Sequence, residues 1–216
     1  MASIDLHWMP LGAGGSSVVR FSGRVYERLN ALVTRRRPQA LYHSALTVAV
    51  PDGRFMIELT PVPDELRSSR GVVCQGVVGS RLLSRWRVFR YELRCWQDGV
   101  IPDLEYETDP QRLTDDPRVA SALLDVIPSL PTPVWGRDEL RAGEMWNSNS
   151  AIAWLLARSG VPVDTIAPPD GGRAPGWNAG LVVAARQDDD ADEGGGRRRS
   201  ATNHEQVDRD SRRIAS

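Results

Sequence analysis

The period of apolar and polar positions changes several times along this chain of 216 residues. Residues 1–20 read as an apolar strand or coil broken by Gly12, Gly14 and Gly15, a spacing that suits a turn and matches no phosphate-binding fingerprint. From Gly23 to about Arg35, the recurrence of Val25, Leu29, Leu32 and Val33 predicts a helix with one buried face. Ser22 stands at its N-cap, Phe21 and Tyr26 are placed to form a hydrophobic staple, and Arg35, Arg36, Arg37 and Pro38 close it.

Strand signals follow. Leu41 to Val50 and the alternating stretch Arg54 to Thr60 flank Asp52-Gly53, a strong turn pair, and so predict a hairpin. Two more strands are expected at Gly71 to Val78 and Arg85 to Trp96. In the latter, Phe89, Tyr91, Leu93 and Cys95 alternate with Arg90, Glu92 and Arg94, one face buried and the other polar. Four strands in succession with short connections imply an antiparallel sheet rather than a strand–helix repeat.

The second half is helical. Asp116-Pro117 opens a helix with Val119, Leu123 and Ile127 on one face, and Pro128, Pro131 and Pro133 end it in a rigid connection. A short helix is expected at Arg137 to Met145. Asn149 to Ser159 is apolar all round, as in a central, enclosed helix, with Asn149 as cap and Gly160 and Pro162 at its end. Gly180 to Ala185 reads as a last strand. These elements make a single α+β domain over 1–186. Residues 187–216 carry acidic and basic runs with almost nothing to bury, and are expected to form a disordered tail.

Composition narrows the chemistry. All 27 basic residues are arginine, which excludes a lysine base or Schiff-base amine, and a net charge of −1 leaves no electrostatic footprint for nucleic acid. Cys74 and Cys95 are too few and too far apart for a disulfide framework or thiolate metal site. His7, His43 and His204 lack metal-ligand spacing. No apolar run reaches transmembrane length and no export signal opens the chain, so a cytoplasmic location without a membrane span is expected. Of the tryptophans Trp86, Trp96, Trp135, Trp146, Trp154 and Trp177, most should be core.

Two residues stand out as chemistry. His43 lies in the strand-like Leu41-Tyr42-His43-Ser44-Ala45-Leu46, and Ser150 lies at the first turn of the enclosed helix in Trp146-Asn147-Ser148-Asn149-Ser150. A hydroxyl at a helix N-terminus has backbone N–H groups nearby to stabilise developing negative charge, and a strand histidine packed there is the matching base. Ser148 is a second hydroxyl two residues away.

These residues carry a resemblance. Leu41-Tyr42-His43, the Gly53 hairpin and Phe55-Met56-Ile57-Glu58, followed late in the chain by Asn149-Ser150 before an apolar helix, resemble the circularly permuted branch of the papain-like superfamily. That group is related to cell-wall amidohydrolases, lecithin:retinol acyltransferases and deubiquitinating-type isopeptidases. The resemblance covers roughly residues 40–160, with serine where the family's nucleophilic cysteine stands. It implies a papain-like, circularly permuted fold, with an antiparallel sheet packed against a central buried helix.

The implied activity is hydrolysis or transfer of an acyl group from an amide or ester, His43 acting as general base toward Ser150 and Glu58 as third member. No cofactor is implied. The alternatives are a catalytically inactive domain binding a peptide or acyl ligand, with Trp146 in the pocket wall, or a structural or protein-interaction domain. A two-residue Asp52-Gly53 turn sets Glu58 opposite Thr47, about 13 Å from His43 at about 3.3 Å per residue. Glu58 then serves only if a wider loop or bulge shifts the register, and Thr60, Gln75 and Glu92 are the other candidates. Substrate, partner and oligomeric state are open.

Overall fold

The structure is a computed structural model that describes residues 1–11, 39–62, 71–99 and 110–190. The expected helix over residues 23–35 and the tail beyond residue 190 lie outside the described residues.

Strands β1 (Ser3–Pro10), β2 (Tyr42–Val50), β3 (Gly53–Pro61), β4 (Val72–Val77), β5 (Arg90–Gln97) and β6 (Gln111–Thr114) form one antiparallel sheet in the order β4-β5-β3-β2-β1-β6. The four strands expected from the alternation are all present; among the described residues β1 and the short β6 join them. In the β2–β3 hairpin Val50 pairs with Gly53, so Pro51 and Asp52 occupy the turn, one residue earlier than Asp52-Gly53. Proline pre-sets the backbone angle that the first turn position needs. The register therefore differs by two residues from the expected one, and Thr47 faces Met56 rather than Glu58.

Strand β5 begins at Arg90, not Arg85, because residues 81–89 coil into two 3-10 turns, Arg81–Leu83 and Arg87–Phe89. The Ser80 hydroxyl accepts the Leu82 N–H at 3.4 Å, and the Arg90 guanidinium donates to the Ser84 carbonyl at 2.8 Å. These local bonds give the backbone an alternative to the ladder.

Central strands are covered on both faces. Ile4, Leu6, Trp8, Tyr42, Leu46, Val48, Ile57, Leu59, Tyr91 and Leu93 join the main core with the helices. On the opposite face Met9, Ala45 and Met56 make a second small core with Trp96 packed against it. The face of β5 expected to be polar is so, but it is not all in water. Glu92 is buried, held by Arg94 at 2.8 and 3.1 Å and by Gln75 at 2.9 Å.

Helix α1 (Pro117–Val126) starts where the sequence places it, with the Asp116 carboxylate accepting the Arg118 N–H at 2.8 Å and Ala120 and Leu123 buried. Residues 137–145 are turns, not the expected helix. The Asp138 carboxylate takes the N–H groups of Ala142 and Gly143, at 2.6 and 2.9 Å, and that closed turn competes with a helical ladder.

Helix α2 (Ser148–Arg158) is the enclosed helix, with Ser148 through Leu156 all buried. Its cap is Asn147 rather than Asn149. At its other end the Gly160 N–H reaches the Ala157 carbonyl and the Val161 N–H reaches Leu156, the paired closure of a Schellman turn.

Residues 177–190 form a helix, α3, and not the strand expected at residues 180–185. Its buried positions, Trp177, Ala179, Gly180, Val183 and Ala184, recur with helical period, a pattern that the short apolar run Leu181-Val182-Val183-Ala184-Ala185 masks. Helix α3 runs on across residue 186. The Trp154 indole N–H donates to the Gln187 side chain at 2.8 Å, and Arg158 pairs with Asp188.

Candidate functional site

The first turn of α2 is organised by its own side chains. The Asn147 carboxamide oxygen accepts the N–H of Asn149 at 2.9 Å and of Ser150 at 3.3 Å, and the Asn147 N–H donates back to the Ser150 hydroxyl at 3.1 Å. This is a reciprocal capping box. The Ala151 N–H is taken by the Asn147 carbonyl at 3.1 Å. Ser150 Oγ then donates its single proton to the Gly176 carbonyl at 2.7 Å, with the Met145 carbonyl a second acceptor at 3.2 Å.

Gly176 is shaped for this contact. Its φ is +86°, and a Cβ there would lie 2.7 Å from both Asn147 Oδ1 and Ser150 Oγ. Its own N–H donates to Glu144 at 2.7 Å. One turn further on, α3 crosses so closely that a Cβ at Gly180 would stand 2.1 Å from the Ser150 carbonyl oxygen. Ser150 is thus sealed, with none of its surface exposed, and Ser148 is 5 % exposed.

Asn149 ties α2 to the sheet. Its side-chain oxygen accepts the Ser44 hydroxyl at 2.9 Å, and its amide donates to the carbonyls of Tyr42 and Pro175, each at 3.0 Å. Residues 42, 44, 46 and 48 of β2 therefore face α2. Side chains alternate along a strand, and the β1–β2 ladder runs without a bulge from Ser3↔Ala49 to Pro10↔Tyr42.

His43 consequently lies on the other face, beside its cross-strand partner Met9 and on the same side as Ala45 and Thr47. There the imidazole of His7 meets the Thr47 hydroxyl at 2.6 Å, and Thr47 reaches the Met56 sulfur at 3.1 Å. Burial lowers the His43 pKa to about 4, so the ring is neutral at pH 7. The backbone of β2 stands between His43 and Ser150, and the expected Ser/His pair is not brought together.

Glu58 shares the His43 face. It pairs across the ladder with Arg94 and lies one residue beyond the last β2–β3 pair, Leu46↔Ile57. Among the other candidates, Gln75 and Glu92 bind each other, and Thr60 donates to the Pro61 carbonyl at 3.4 Å. Trp146 is 2 % exposed and belongs to the core rather than to a pocket wall. A cleft of about 540 Å³ is lined by Gly136, Arg137, Asp138 and Glu139. An apolar one of about 290 Å³ is lined by Phe55, Val73, Cys95, Leu124, Ile127 and Pro128. Neither touches residue 43 or 150. Burial raises the Cys95 thiol to about 11, which keeps it protonated and a poor nucleophile at neutral pH.

The residues that sequence reasoning missed are Ser44, Asn147 and Gly176. Asn147 and Ser150 do stand at capping-box spacing, with the asparagine and serine variants of the motif, which was the available signal. Nothing local marks Ser44 or Gly176, whose partners are 105 and 26 residues away. Comparison with known proteins finds no match to a family model, to a curated protein or to a solved structure.

Proposed function

We propose that this chain is a non-catalytic domain, built on a permuted papain-like arrangement in which the nucleophile's position has become a structural lock. The observation that carries the reading is the state of Ser150. Its proton goes to the Gly176 carbonyl, its acceptor side takes the Asn147 N–H, and none of it is exposed.

Nucleophilic attack needs a base within hydrogen-bond reach and free donors for the oxyanion. His43 is on the far face of β2, while the N–H groups of Asn149, Ser150 and Ala151 are already bonded to Asn147. The papain-like part of the proposal is supported by order and placement: an early antiparallel sheet bearing the histidine strand, and a late buried helix whose first turn binds that strand through Asn149 and Ser44.

The test is an activity-based fluorophosphonate probe on the folded protein, with a panel of ester and amide substrates. No label and no turnover are expected. A label on Ser150 that disappears in His43→Ala would overturn the proposal.

A further inference from the structure

Residues 78–89 connect β4 to β5, and the stretch 80–90 combines exposed apolar side chains with a run of arginines. Leu82 is 84 % exposed, Trp86 48 % and Val88 56 %, so three of the most exposed large apolar side chains among the described residues lie within seven positions. Interleaved with them are Arg81, Arg85, Arg87 and Arg90, with no acidic residue in the connection. The neighbouring turn adds Arg137, Asp138 and Glu139, for a local charge of +3 in a chain whose net charge is −1.

The connection is held from below. Glu139 binds the Arg81 guanidinium in a two-point pair at 2.8 and 2.9 Å, Arg137 donates to the Gly79 carbonyl, and the Gly79 N–H reaches Trp135 at 3.0 Å. The Arg85 guanidinium lies over the Trp86 ring at 4.7 Å, and Phe89 packs beside that ring at 6.2 Å. The two 3-10 turns thus keep Leu82, Trp86 and Val88 outward, so little is lost in ordering them when they are covered.

We infer that this connection is a peripheral docking surface for an anionic lipid bilayer. The arginines would meet acidic headgroups with their apolar stems laid along the boundary, and Leu82, Trp86 and Val88 would enter the headgroup–acyl region, where tryptophan is favoured. Charge complementarity selects this occupant, and exposed leucine and valine offer nothing to a phosphate backbone alone. No helix of the described residues is long and apolar enough to cross a membrane. The inference rests on residues 80–90 and holds whether or not Ser150 is catalytic.

The experiment is co-sedimentation of the full chain with vesicles of phosphatidylcholine alone or mixed with phosphatidylglycerol. Near an acidic surface each uncompensated arginine strengthens binding about fivefold, so the mixed vesicles should bind about a hundredfold more tightly than neutral ones, less as salt is added. Arg85→Gln with Arg87→Gln should weaken binding about twentyfold at an unchanged unfolding midpoint. Leu82→Ser with Val88→Ser should weaken it at least tenfold. Equal binding to both vesicle types, no binding to either, or variants that bind as the parent does would overturn the inference. So would a protein or nucleic acid that these residues retain while vesicles are ignored.

Discussion

Replacing Ser150 with alanine separates a lock from a nucleophile. The substitution removes the 2.7 Å donor to the Gly176 carbonyl and the 3.1 Å acceptor for the Asn147 N–H, inside a turn where Ser150 has no exposed surface. The Gly176 carbonyl retains a long contact from the Gly180 N–H at 3.4 Å, so its loss is partial. A buried polar group left without its partner costs about 1–3 kcal/mol, which makes about 2–4 kcal/mol for the pair. That is a large share of the roughly 5–15 kcal/mol that holds a domain folded. With a urea slope of about 2 kcal/mol per molar, the midpoint followed by tryptophan fluorescence should fall by about 1–2 M.

Because the capping box is reciprocal, Asn147→Ala and Ser150→Ala should be non-additive. The double variant should lose about 1 kcal/mol less than the sum of the two single ones. A midpoint unmoved within about 0.5 kcal/mol, with loss of an acyl-transfer activity, would refute the reasoning, since surface-like tolerance is not expected of a buried, bonded group.

Other outcomes follow from the same geometry. Gly176→Ala should destabilise by about 3 kcal/mol in the same urea assay, because its φ of +86° disfavours a side chain and the added Cβ displaces the Ser150 hydroxyl. Ser150→Cys should leave a thiol that a disulfide reagent modifies only after denaturant is added; rapid modification of the folded protein would show that the position opens to solvent. For His43, the folded pKa near 4 lies below the ordinary 6.5, so the unfolded chain takes up the proton first. Its contribution is complete above pH 6.5 and is lost as the pH falls toward 4, by at most about 3 kcal/mol, and less to the extent that the ring keeps contact with water. His43→Gln should flatten the melting temperature of the protein across that window relative to the parent, and parallel curves for the two would contradict the burial assigned to this ring.

Much of the fold is legible in local patterning. The β2–β3 hairpin follows from alternation around a proline–aspartate–glycine turn, α1 from Asp116-Pro117 and its apolar stripe, and the enclosure of α2 from a run with almost no polar face. Each of these is decided within about ten residues, on the scale where backbone angles and side-chain period act. Where two local solutions lie close in energy, the sequence does not choose. Residues 180–185 suit a strand as well as a helix, and docking on α2, with Gly180 against the Ser150 carbonyl, goes with the helix. Residues 85–89 continue the strand pattern of β5, yet bonds from Ser80 and Arg90 curl this stretch outward.

The candidate site depends most on the third dimension. The sequence identifies Ser150 at a helix start and His43 on a strand, and both placements are right in kind. Whether such residues meet depends on which face of β2 the helix covers. Asn149 bonding Ser44 decides that, and a strand's two-residue period then sends His43 to the other side.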